Sequence, residues 1–256
     1  MRVATWNVNS LKARLDKVLG WLAEAQPDVL LMQETKLADD AVPHMEFRAA
    51  GYEIAHHGEG RWNGVAIASR AGLDDVSFGF AGAGADADGA RFIAARCGPL
   101  RAVSVYAPNG RALDSEFYEA KLAWYARLLD WLHANADPTE PLVVGGDWNI
   151  APTDDDVWDP AAFEFSTHTS GAERDALRRL LEWGLVDAYR VHHPEPGKYS
   201  WWDYRAGHFH KGLGLRIDFL LTTRGVADRS TAAEIDRNAR KGPLPSDHAP
   251  VWVEIT

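Results

Sequence analysis

The stretch Ser246-Asp247-His248-Ala249-Pro250-Val251-Trp252-Val253 places a carboxylate and an imidazole directly before an apolar strand. Side chains held at the start of a strand lie at the edge of a sheet, so Asp247 and His248 can serve one site. Three distant segments have the same form, an apolar run followed by polar residues suited to metal or phosphate. They are Thr5-Trp6-Asn7-Val8-Asn9, Gln33-Glu34-Thr35-Lys36 and Gly145-Gly146-Asp147-Trp148-Asn149. Together the four segments predict a phosphodiesterase site assembled at strand ends.

The bulk properties predict one large α/β domain spanning residues 1–256. The chain has 256 residues, of which 46% are hydrophobic, enough for a substantial core. The single cysteine, Cys97, excludes an internal disulfide and suits a reducing cytoplasm. No basic and apolar leader precedes the first strand, and no apolar run approaches the length of about 20 residues that a membrane span needs. We therefore expect a cytoplasmic monomer without a membrane segment.

The net charge of −10 argues, taken alone, against a nucleic-acid partner, because neutralising phosphates requires Lys and Arg. The objection weakens if positive charge is local. Eight basic residues fall in predicted loops or strand ends around the site: Arg61, Arg91, Arg111, Lys211, Arg216, Arg237, Arg240 and Lys241. They form either a basic rim for nucleic acid or an ordinary solvated surface.

Apolar runs and helical periodicities alternate along the chain, which indicates an α/β or α+β fold. Strands are predicted at 2–8, 29–32, 64–69, 91–96, 100–106, 142–144, 199–202, 215–222 and 251–255. Helices are predicted at 14–25, at 115–134, and from the capping box at Ser170 to Trp183. The Gly/Ala/Asp stretch Ala81–Ala90 reads as a loop that is too short to divide domains.

Phosphodiester hydrolysis needs charge neutralisation, an activated water and donors to the developing charge. Glu34 directly follows the apolar run 29–32, where a merely structural charge is expensive to bury, and a hard carboxylate suits Mg²⁺. Asp147 and Asn149 stand two apart and can face the same way. The carboxylate can accept a proton from water and the amide can donate to phosphate; the alternative is an Asx turn.

The remaining polar candidates are a histidine, an acid, and a tyrosine with a nearby asparagine. His248 beside Asp247 is either a general base or an imidazolium, unless it is a satisfied core histidine. Asp218 puts a carboxylate inside an apolar strand, which a His248 partner would explain. Tyr106 and Asn109 end a strand and offer a hydroxyl and an amide to phosphate, although Tyr106 also suits core packing. The adjacent pairs His56-His57 and His192-His193 diverge, so zinc is not expected there.

Five motifs in this order resemble the exonuclease III family of the endonuclease/exonuclease/phosphatase superfamily, and the resemblance covers essentially the whole chain. The matching segments are Thr5 to Leu11, Gln33-Glu34-Thr35-Lys36, Tyr106-Ala107-Pro108-Asn109-Gly110, Gly146 to Pro152 and Ser246-Asp247-His248-Ala249-Pro250. One motif alone is weakly specific, whereas five in order are strongly so.

A further segment narrows the resemblance. Tyr199-Ser200-Trp201-Trp202-Asp203-Tyr204-Arg205, followed by 214–218, is similar to the segment that builds the pocket for a baseless deoxyribose in apurinic/apyrimidinic (AP) endonucleases. Trp201, Leu215 and Ile217 would line an apolar box that excludes a base and admits a flipped abasic sugar. The alternative is that these aromatic residues are core, which is the interpretation favoured for Trp202.

The resemblance implies a four-layer sandwich, with two mixed β-sheets face to face and helices outside. It implies a divalent metal, Mg²⁺ or in its place Mn²⁺, held by Glu34 with Asn7 and Asp247. It assigns catalysis to Asp147, which activates water or acts on the leaving group, and to Asn149, Tyr106, His248, Asp247 and Asp218. The implied DNA contacts are Asn63, Arg91, Asn109, Lys36 and Arg111. The acidic loop 153–156 receives no role, although Asp156 could order the site through Asn or Arg partners.

The implied activity is Mg²⁺-dependent hydrolysis of the DNA backbone 5′ to abasic sites, with 3′-to-5′ exonuclease or 3′-end processing of duplex DNA. The expected partner is therefore double-stranded DNA with abasic sites or 3′ ends, and the expected location is near the nucleoid. Two alternatives stay open at this stage. One is an enzyme of the same fold acting on RNA or a small phosphoester, and the other is a non-catalytic DNA-binding module, which four carboxylates beside phosphate argue against.

Overall fold

A computed structural model describes residues 1–80 and 89–256, so residues 81–88 of the predicted loop lie outside the described residues. The first sheet has the order β11-β12-β1-β2-β4-β3. Its strands are β1 (Arg2–Asn7), β2 (Val29–Gln33), β3 (Glu53–His57), β4 (Val65–Ser69), β11 (Ser230–Ile235) and β12 (Val251–Ile255). The second has the order β5-β6-β7-β8-β10-β9. Its strands are β5 (Asp74–Phe78), β6 (Phe92–Cys97), β7 (Leu100–Tyr106), β8 (Leu142–Asp147), β9 (Leu185–Asp187) and β10 (Asp218–Thr223).

The described residues form seven α-helices. They are α1 (Leu11–Ala25), α2 (His44–Ala49), α3 (Glu116–Asn135), α4 (Gly171–Trp183), α5 (Ala188–His192), α6 (His208–Lys211) and α7 (Arg224–Ala227). The predicted capping box is present at α4, where Ser170 and Glu173 exchange hydrogen bonds, and Gly184 ends the helix at φ 129°. None of these helices combines the length and the apolarity that crossing a bilayer requires.

The core has three apolar layers, which makes the molecule a four-layer sandwich as predicted. Between the sheets, side chains such as Leu31 and Val143 are fully buried. Outside the first sheet, α1 and α2 bury residues that include Trp21 and Phe47. Outside the second, α3 and α4 bury a cluster that includes Trp124. Both sheets are mixed, because each contains one parallel pair, β1–β2 and β7–β8, among antiparallel neighbours.

This topology brings the predicted site residues to one edge of the sandwich. The parallel pairs place the carboxyl ends of β1 and β2, and of β7 and β8, side by side. Strand β10 runs antiparallel to β8 with Asp218 opposite Asp147, and β12 runs antiparallel to β1 with Val251 opposite Thr5. The segment before Val251 therefore returns to the same edge. The residues that meet there are Asn7, Glu34, Tyr106, Asp147, Asp218 and His248.

Some predicted strands were wrong. The stretch 199–202 is not a strand, since Trp201 makes only isolated bridges to Leu215 and His248. The strand predicted from 215 begins at Asp218, because Arg216 N–H donates to the carbonyl of Asp156 in a loop instead of to a neighbouring strand. Strands β3, β5, β9 and β11 had not been predicted at all.

Candidate active site

Two carboxylates lie at the ends of adjacent elements and share one amide. Asn7 Nδ2 donates to Glu34 Oε1 and to Asp147 Oδ2, both at 2.8 Å. Its Oδ1 accepts from the Asn9 backbone N–H at 3.0 Å. Asn7 thus turns its NH₂ group toward the carboxylates, which corrects its prediction as a metal ligand. It bridges the two acids and offers no oxygen to an ion.

The donor set suits a divalent cation. Ligand atoms of Glu34, Asp147 and His248 lie within 4.8 Å of one another, so this group could hold a metal ion. Asp247, predicted as a further ligand, is not in the group. Its carboxylate instead accepts from Asn9 Nδ2 at 2.9 Å and from Trp201 Nε1 at 3.1 Å. These bonds hold Asp247 beside Asn9 and Trp201 at the rim of the site, and its role as a metal ligand stays a prediction.

Asp147 is a buried carboxyl surrounded by other charges. Its side chain is 2% exposed, and its Oδ1 accepts from the Asn149 backbone N–H at 3.0 Å. Burial, with the charges of Asp218 and Glu34, raises the pKa of Asp147 to about 7, although His248 acts in the opposite direction. Excess negative charge in a buried place is a physical reason for a cation to bind here.

His248 is held by a second buried acid. Its Nδ1 lies 2.8 Å from Asp218 Oδ2, which also accepts from Ser200 Oγ at 2.7 Å. Its Nε2 lies 3.8 Å from Asp147 Oδ2. Burial alone would lower the pKa of His248, but the charges of Asp218 and Asp147 raise it to about 10. The ring is therefore an imidazolium at neutral pH, which supports the electrostatic role over that of a general base.

Three further polar side chains face the same edge. Asn149, at φ 52°, donates from Nδ2 to the carbonyl of Ala107 at 2.9 Å, and its Oδ1 lies 3.3 Å from Asn109 Nδ2. Burial and the negative charges of Glu34 and Asp147 raise the pKa of Tyr106 well above its ordinary value. Tyr106 thus keeps its proton and stays a hydrogen-bond donor.

A groove adjoins Tyr106 and contains most of the predicted DNA contacts. It has a cavity volume of about 540 Å³. The predicted contacts that line it are Asn63, Arg91, Asn109 and Arg111, and the sequence reasoning missed Trp62, Phe117 and Arg127. Arg91 lies 4.5 Å above the ring of Tyr106, and Arg111 lies 3.6 Å from the ring of Phe117. The groove therefore combines guanidinium groups with aromatic faces.

Lys36 does not line this groove. Its Nζ pairs with Glu34 Oε2 at 2.8 Å and donates to Asn9 Oδ1 at 2.6 Å. The DNA contact at Lys36 stays a prediction, and in this structure its charge pairs with Glu34 at the candidate metal group.

The predicted sugar pocket is only partly open. Trp201 is partly exposed, but Leu215 and Ile217 are 0% and 2% exposed and pack against Ala151 and Val157. These two aliphatic residues form a layer behind Trp201 and present no wall to solvent, which corrects their predicted role as lining. Trp202 is buried, in agreement with the core interpretation.

Sequence reasoning missed a buried cation that ties two active-site loops together. Lys121 Nζ donates to the carbonyls of Asn149 at 2.6 Å and Asn109 at 3.2 Å, and pairs with Glu173 Oε1 at 2.5 Å. Both charged side chains are fully buried. His168 Nδ1 donates to the same Asn149 carbonyl at 2.6 Å; burial and the charge of Lys121 lower its pKa to about 4, so the ring is neutral. The only sequence signal was the capping box that contains Glu173.

The acidic loop has a structural explanation. Asp156 is fully buried and pairs with Arg216 at 2.6 Å and with Arg190. Arg216 also pairs with Asp187 at 2.7 Å. Arg216 is therefore no part of a basic rim, and neither is Arg240, which is 6% exposed.

The fold and the site define a class of proteins. Two opposed mixed sheets carry, at one edge, acids and a histidine suited to phosphoester hydrolysis. The chain belongs to the endonuclease/exonuclease/phosphatase family, whose model matches residues 4–248.

Three similar proteins carry the names of DNA-processing enzymes. The chain is 34% identical over 268 residues to exodeoxyribonuclease III of Haemophilus influenzae, covering 100% of both chains. It is similar to an AP endonuclease from Archaeoglobus fulgidus, with 37% identity and a TM-score of 0.97 over 100% of this chain and 99% of that one. It is also similar to the 3′ phosphatase NExo from Neisseria bound to a product DNA hairpin, with 39% identity and a TM-score of 0.95 over the same shares. The predicted resemblance is confirmed.

Proposed function

We propose that this protein is a magnesium-dependent DNA-repair phosphodiesterase that cuts the backbone 5′ to abasic sites and processes 3′ ends of duplex DNA. The observation that carries the proposal is the grouping of Glu34 and Asp147, bridged by Asn7, opposite the charged ring of His248. The relatives described as exodeoxyribonuclease III, AP endonuclease and a 3′ phosphatase with a DNA hairpin support it. We propose further that it acts as a cytoplasmic monomer on nucleoid DNA.

Each residue contributes a distinct step. Glu34 and Asp147 would hold the metal, whose chemistry when bound would be charge neutralisation at the phosphate and a lowered pKa of water. Asp147 accepts the proton of the attacking water, since its raised pKa makes it a base at neutral pH. His248 donates from Nε2 to a phosphate oxygen and stabilises the developing negative charge. Asn149 and Tyr106 donate to the same phosphate.

The ligand chemistry favours Mg²⁺ over zinc. Glu34 and Asp147 offer hard carboxylate oxygens, which magnesium prefers. Among the described residues the group has one imidazole and no thiolate, whereas protein zinc sites usually combine several imidazole or thiolate ligands. Mn²⁺ accepts the same oxygen ligands and is proposed as a substitute.

The net negative charge of the chain argued against a nucleic-acid partner, but the groove beside Tyr106 carries local positive charge. Arg91, Arg111 and Arg127 line it together with three aromatic side chains, so positive charge is concentrated where a phosphate backbone would leave the site. Trp62 is 69% exposed, and an exposed indole is a stacking surface for a base.

Replacing Trp62 tests whether DNA occupies the groove. In Trp62→Ala, KM for duplex DNA should rise about tenfold with kcat nearly unchanged, because base stacking on an aromatic ring is worth roughly 1–3 kcal/mol. Steady-state kinetics on a labelled duplex gives both constants. Met45→Ala is the control, since Met45 is 81% exposed but lies on α2 outside the groove. Equal KM values for the two variants would place the DNA elsewhere.

The proposed activity is tested with an end-labelled duplex that contains one central abasic analogue, incubated with Mg²⁺ or EDTA. An intact duplex and an RNA duplex of the same sequence run alongside. Mg²⁺-dependent cleavage only 5′ to the lesion would establish the AP endonuclease, and a ladder from the 3′ ends of both DNA duplexes would establish the exonuclease. Cleavage of RNA alone, or no cleavage of any duplex, would contradict the proposal.

Metal affinity should depend on pH through Asp147. Its pKa of about 7 means that at pH 6 the carboxyl is mostly protonated, and the proton competes with the cation; at pH 8 it is ionised. Mg²⁺ binding should therefore weaken about tenfold from pH 8 to pH 6, as one proton displaced near neutrality requires. Calorimetric titration at both pH values measures this. The dependence should disappear in Asp147→Asn, and equal affinities for the unsubstituted protein would show that Asp147 does not share the ion.

A further inference from the structure

The loop that carries Glu34 has an unusual backbone. Glu34 and Lys36, neither of them glycine, have φ values of 50° and 51°, in the left-handed region that side chains disfavour. The loop lies between two others: Ser10 N–H donates to the Glu34 carbonyl at 2.7 Å, and Thr35 N–H donates to the Gly64 carbonyl at 3.1 Å. A strained backbone keeps its shape only where its surroundings hold it, so the anchors of this loop bear directly on the position of the Glu34 carboxylate.

One anchor is a buried chain of side-chain hydrogen bonds. Thr35 Oγ1 lies 2.7 Å from His56 Nε2, and His56 Nδ1 lies 2.7 Å from Asp39 Oδ1. Asp39 Oδ1 also accepts from the Gly58 backbone N–H at 2.8 Å. The Thr35 side chain is fully buried and that of His56 is 2% exposed, whereas that of Asp39 is 61% exposed. The chain of contacts thus runs from solvent to the residue beside Glu34.

The chemistry of the three groups fixes the direction of each bond. A carboxylate can only accept, so His56 carries its proton on Nδ1 and donates to Asp39. Burial lowers the pKa of His56, which leaves the ring neutral with a lone pair on Nε2. Thr35 therefore donates its hydroxyl proton to His56. Gly64 leaves the space for that hydroxyl, since a Cβ there would lie 2.1 Å from Thr35 Oγ1.

We propose that Asp39, His56 and Thr35 form a hydrogen-bonded relay that fixes the strained loop of Glu34 and thereby sets the affinity of the site for its divalent cation. The inference rests on the proposed role of Glu34 as metal ligand. An acid, a histidine and a hydroxyl in this order resemble a nucleophilic triad. Thr35 is fully buried, however, so no substrate reaches its oxygen, and all three residues are positioning residues.

The test measures Mn²⁺ binding in the absence of DNA by electron paramagnetic resonance, so that its result does not depend on nuclease activity. Thr35→Val keeps the side-chain volume and removes the donor; it should weaken Mn²⁺ binding about fivefold, the worth of one buried hydrogen bond. Thr35→Ser restores the hydroxyl and should restore the affinity. His57→Gln is the matched control, because His57 contacts the Phe92 carbonyl and lies outside the relay. In saturating Mn²⁺, KM for DNA should be unchanged in Thr35→Val.

A second variant keeps the test decisive if Thr35→Val fails to fold. Asp39→Ala changes a largely exposed side chain and should also weaken Mn²⁺ binding, relative to the neighbouring Asp40→Ala. Unchanged affinity in Asp39→Ala and in every folded Thr35 variant would overturn the relay. Glu34→Gln separates the two levels of the inference: if it leaves Mn²⁺ binding intact, the metal role of Glu34 fails and the relay fails with it. Loss of binding in Glu34→Gln and in the relay variants, without DNA cleavage by the unsubstituted protein, would support the relay and contradict only the nuclease activity.

Discussion

Asp147→Asn is expected to lower kcat for cleavage of an abasic duplex by about 10³-fold, the contribution typical of a positioned general base. The amide has nearly the same shape and keeps its place opposite Asp218, but it cannot accept a proton from water. The substitution also removes one of the two carboxylates to which Asn7 donates hydrogen bonds. Single-turnover kinetics in saturating Mg²⁺ separates the lost base from weakened metal binding.

The control for this variant is an acid in the neighbouring loop. Asp154 is 69% exposed and pairs with Arg174 at the surface, so Asp154→Asn makes the same chemical change outside the site. Its rate should stay close to that of the unsubstituted protein, because the change lies outside the site and a surface substitution usually alters stability by no more than about 0.5 kcal/mol. A rate for Asp147→Asn within severalfold of this control would show that another group activates the water.

Lys121→Met is expected to destabilise the fold by about 3–5 kcal/mol, the cost of leaving one partner of a buried ion pair uncompensated. Burial alone would raise the pKa of Glu173, but the charge of Lys121 and the surrounding hydrogen bonds hold it below its ordinary value. Without the lysine, a fully buried carboxylate loses its counterion. The same substitution removes one of the donors to each of the carbonyls of Asn109 and Asn149, so kcat should fall in the folded fraction. Urea unfolding monitored by tryptophan fluorescence measures the stability.

The stability of Lys121→Met is compared with that of two other variants. Arg178→Met removes an exposed cation from the same region, on α4, and should change the midpoint little, because surface ion pairs contribute little. Adding Glu173→Gln to Lys121→Met removes the orphaned charge and should recover part of the loss. A Lys121→Met midpoint equal to that of Arg178→Met would show that the buried pair does not stabilise the fold.

The sequence predicted the inner strands of the fold and missed those at its borders. Strands such as β2 and β8 are continuous apolar runs because both of their faces are buried. The four strands that were missed, β3, β5, β9 and β11, are the edge strands of the two sheets. An edge strand is exposed along one side, and every residue of β5 is exposed, so no apolar pattern marks it. The strand predicted at 199–202 was wrong for the opposite reason: its aromatic residues look like a buried strand, but they pack across a sheet end without joining a sheet.

At the candidate site, the sequence predicted which residue types are present but not how their side chains are oriented. Acids and amides that follow apolar runs could be recognised, because strand ends meet at one edge of a sheet. The packing of loops distant in sequence decides the orientation of the Asn7 amide and the pairing of Lys36 with Glu34. The pairing of Lys121 with Glu173 joins two helices across 52 positions, and nothing in either segment alone indicates it.

The hydrogen bonds from Asn7 to Asp147 and from His248 to Asp218 each join one sheet to the other. Asn7, Glu34 and His248 belong to the first sheet and its flanking loops, whereas Asp147 and Asp218 belong to the second. The relative position of the catalytic residues therefore depends on how the two sheets pack against each other. A small slide of one sheet over the other would leave the circular-dichroism spectrum intact and abolish turnover. The residues of the candidate metal group come from both sheets, so a cation held there would favour the docked arrangement over any slipped one.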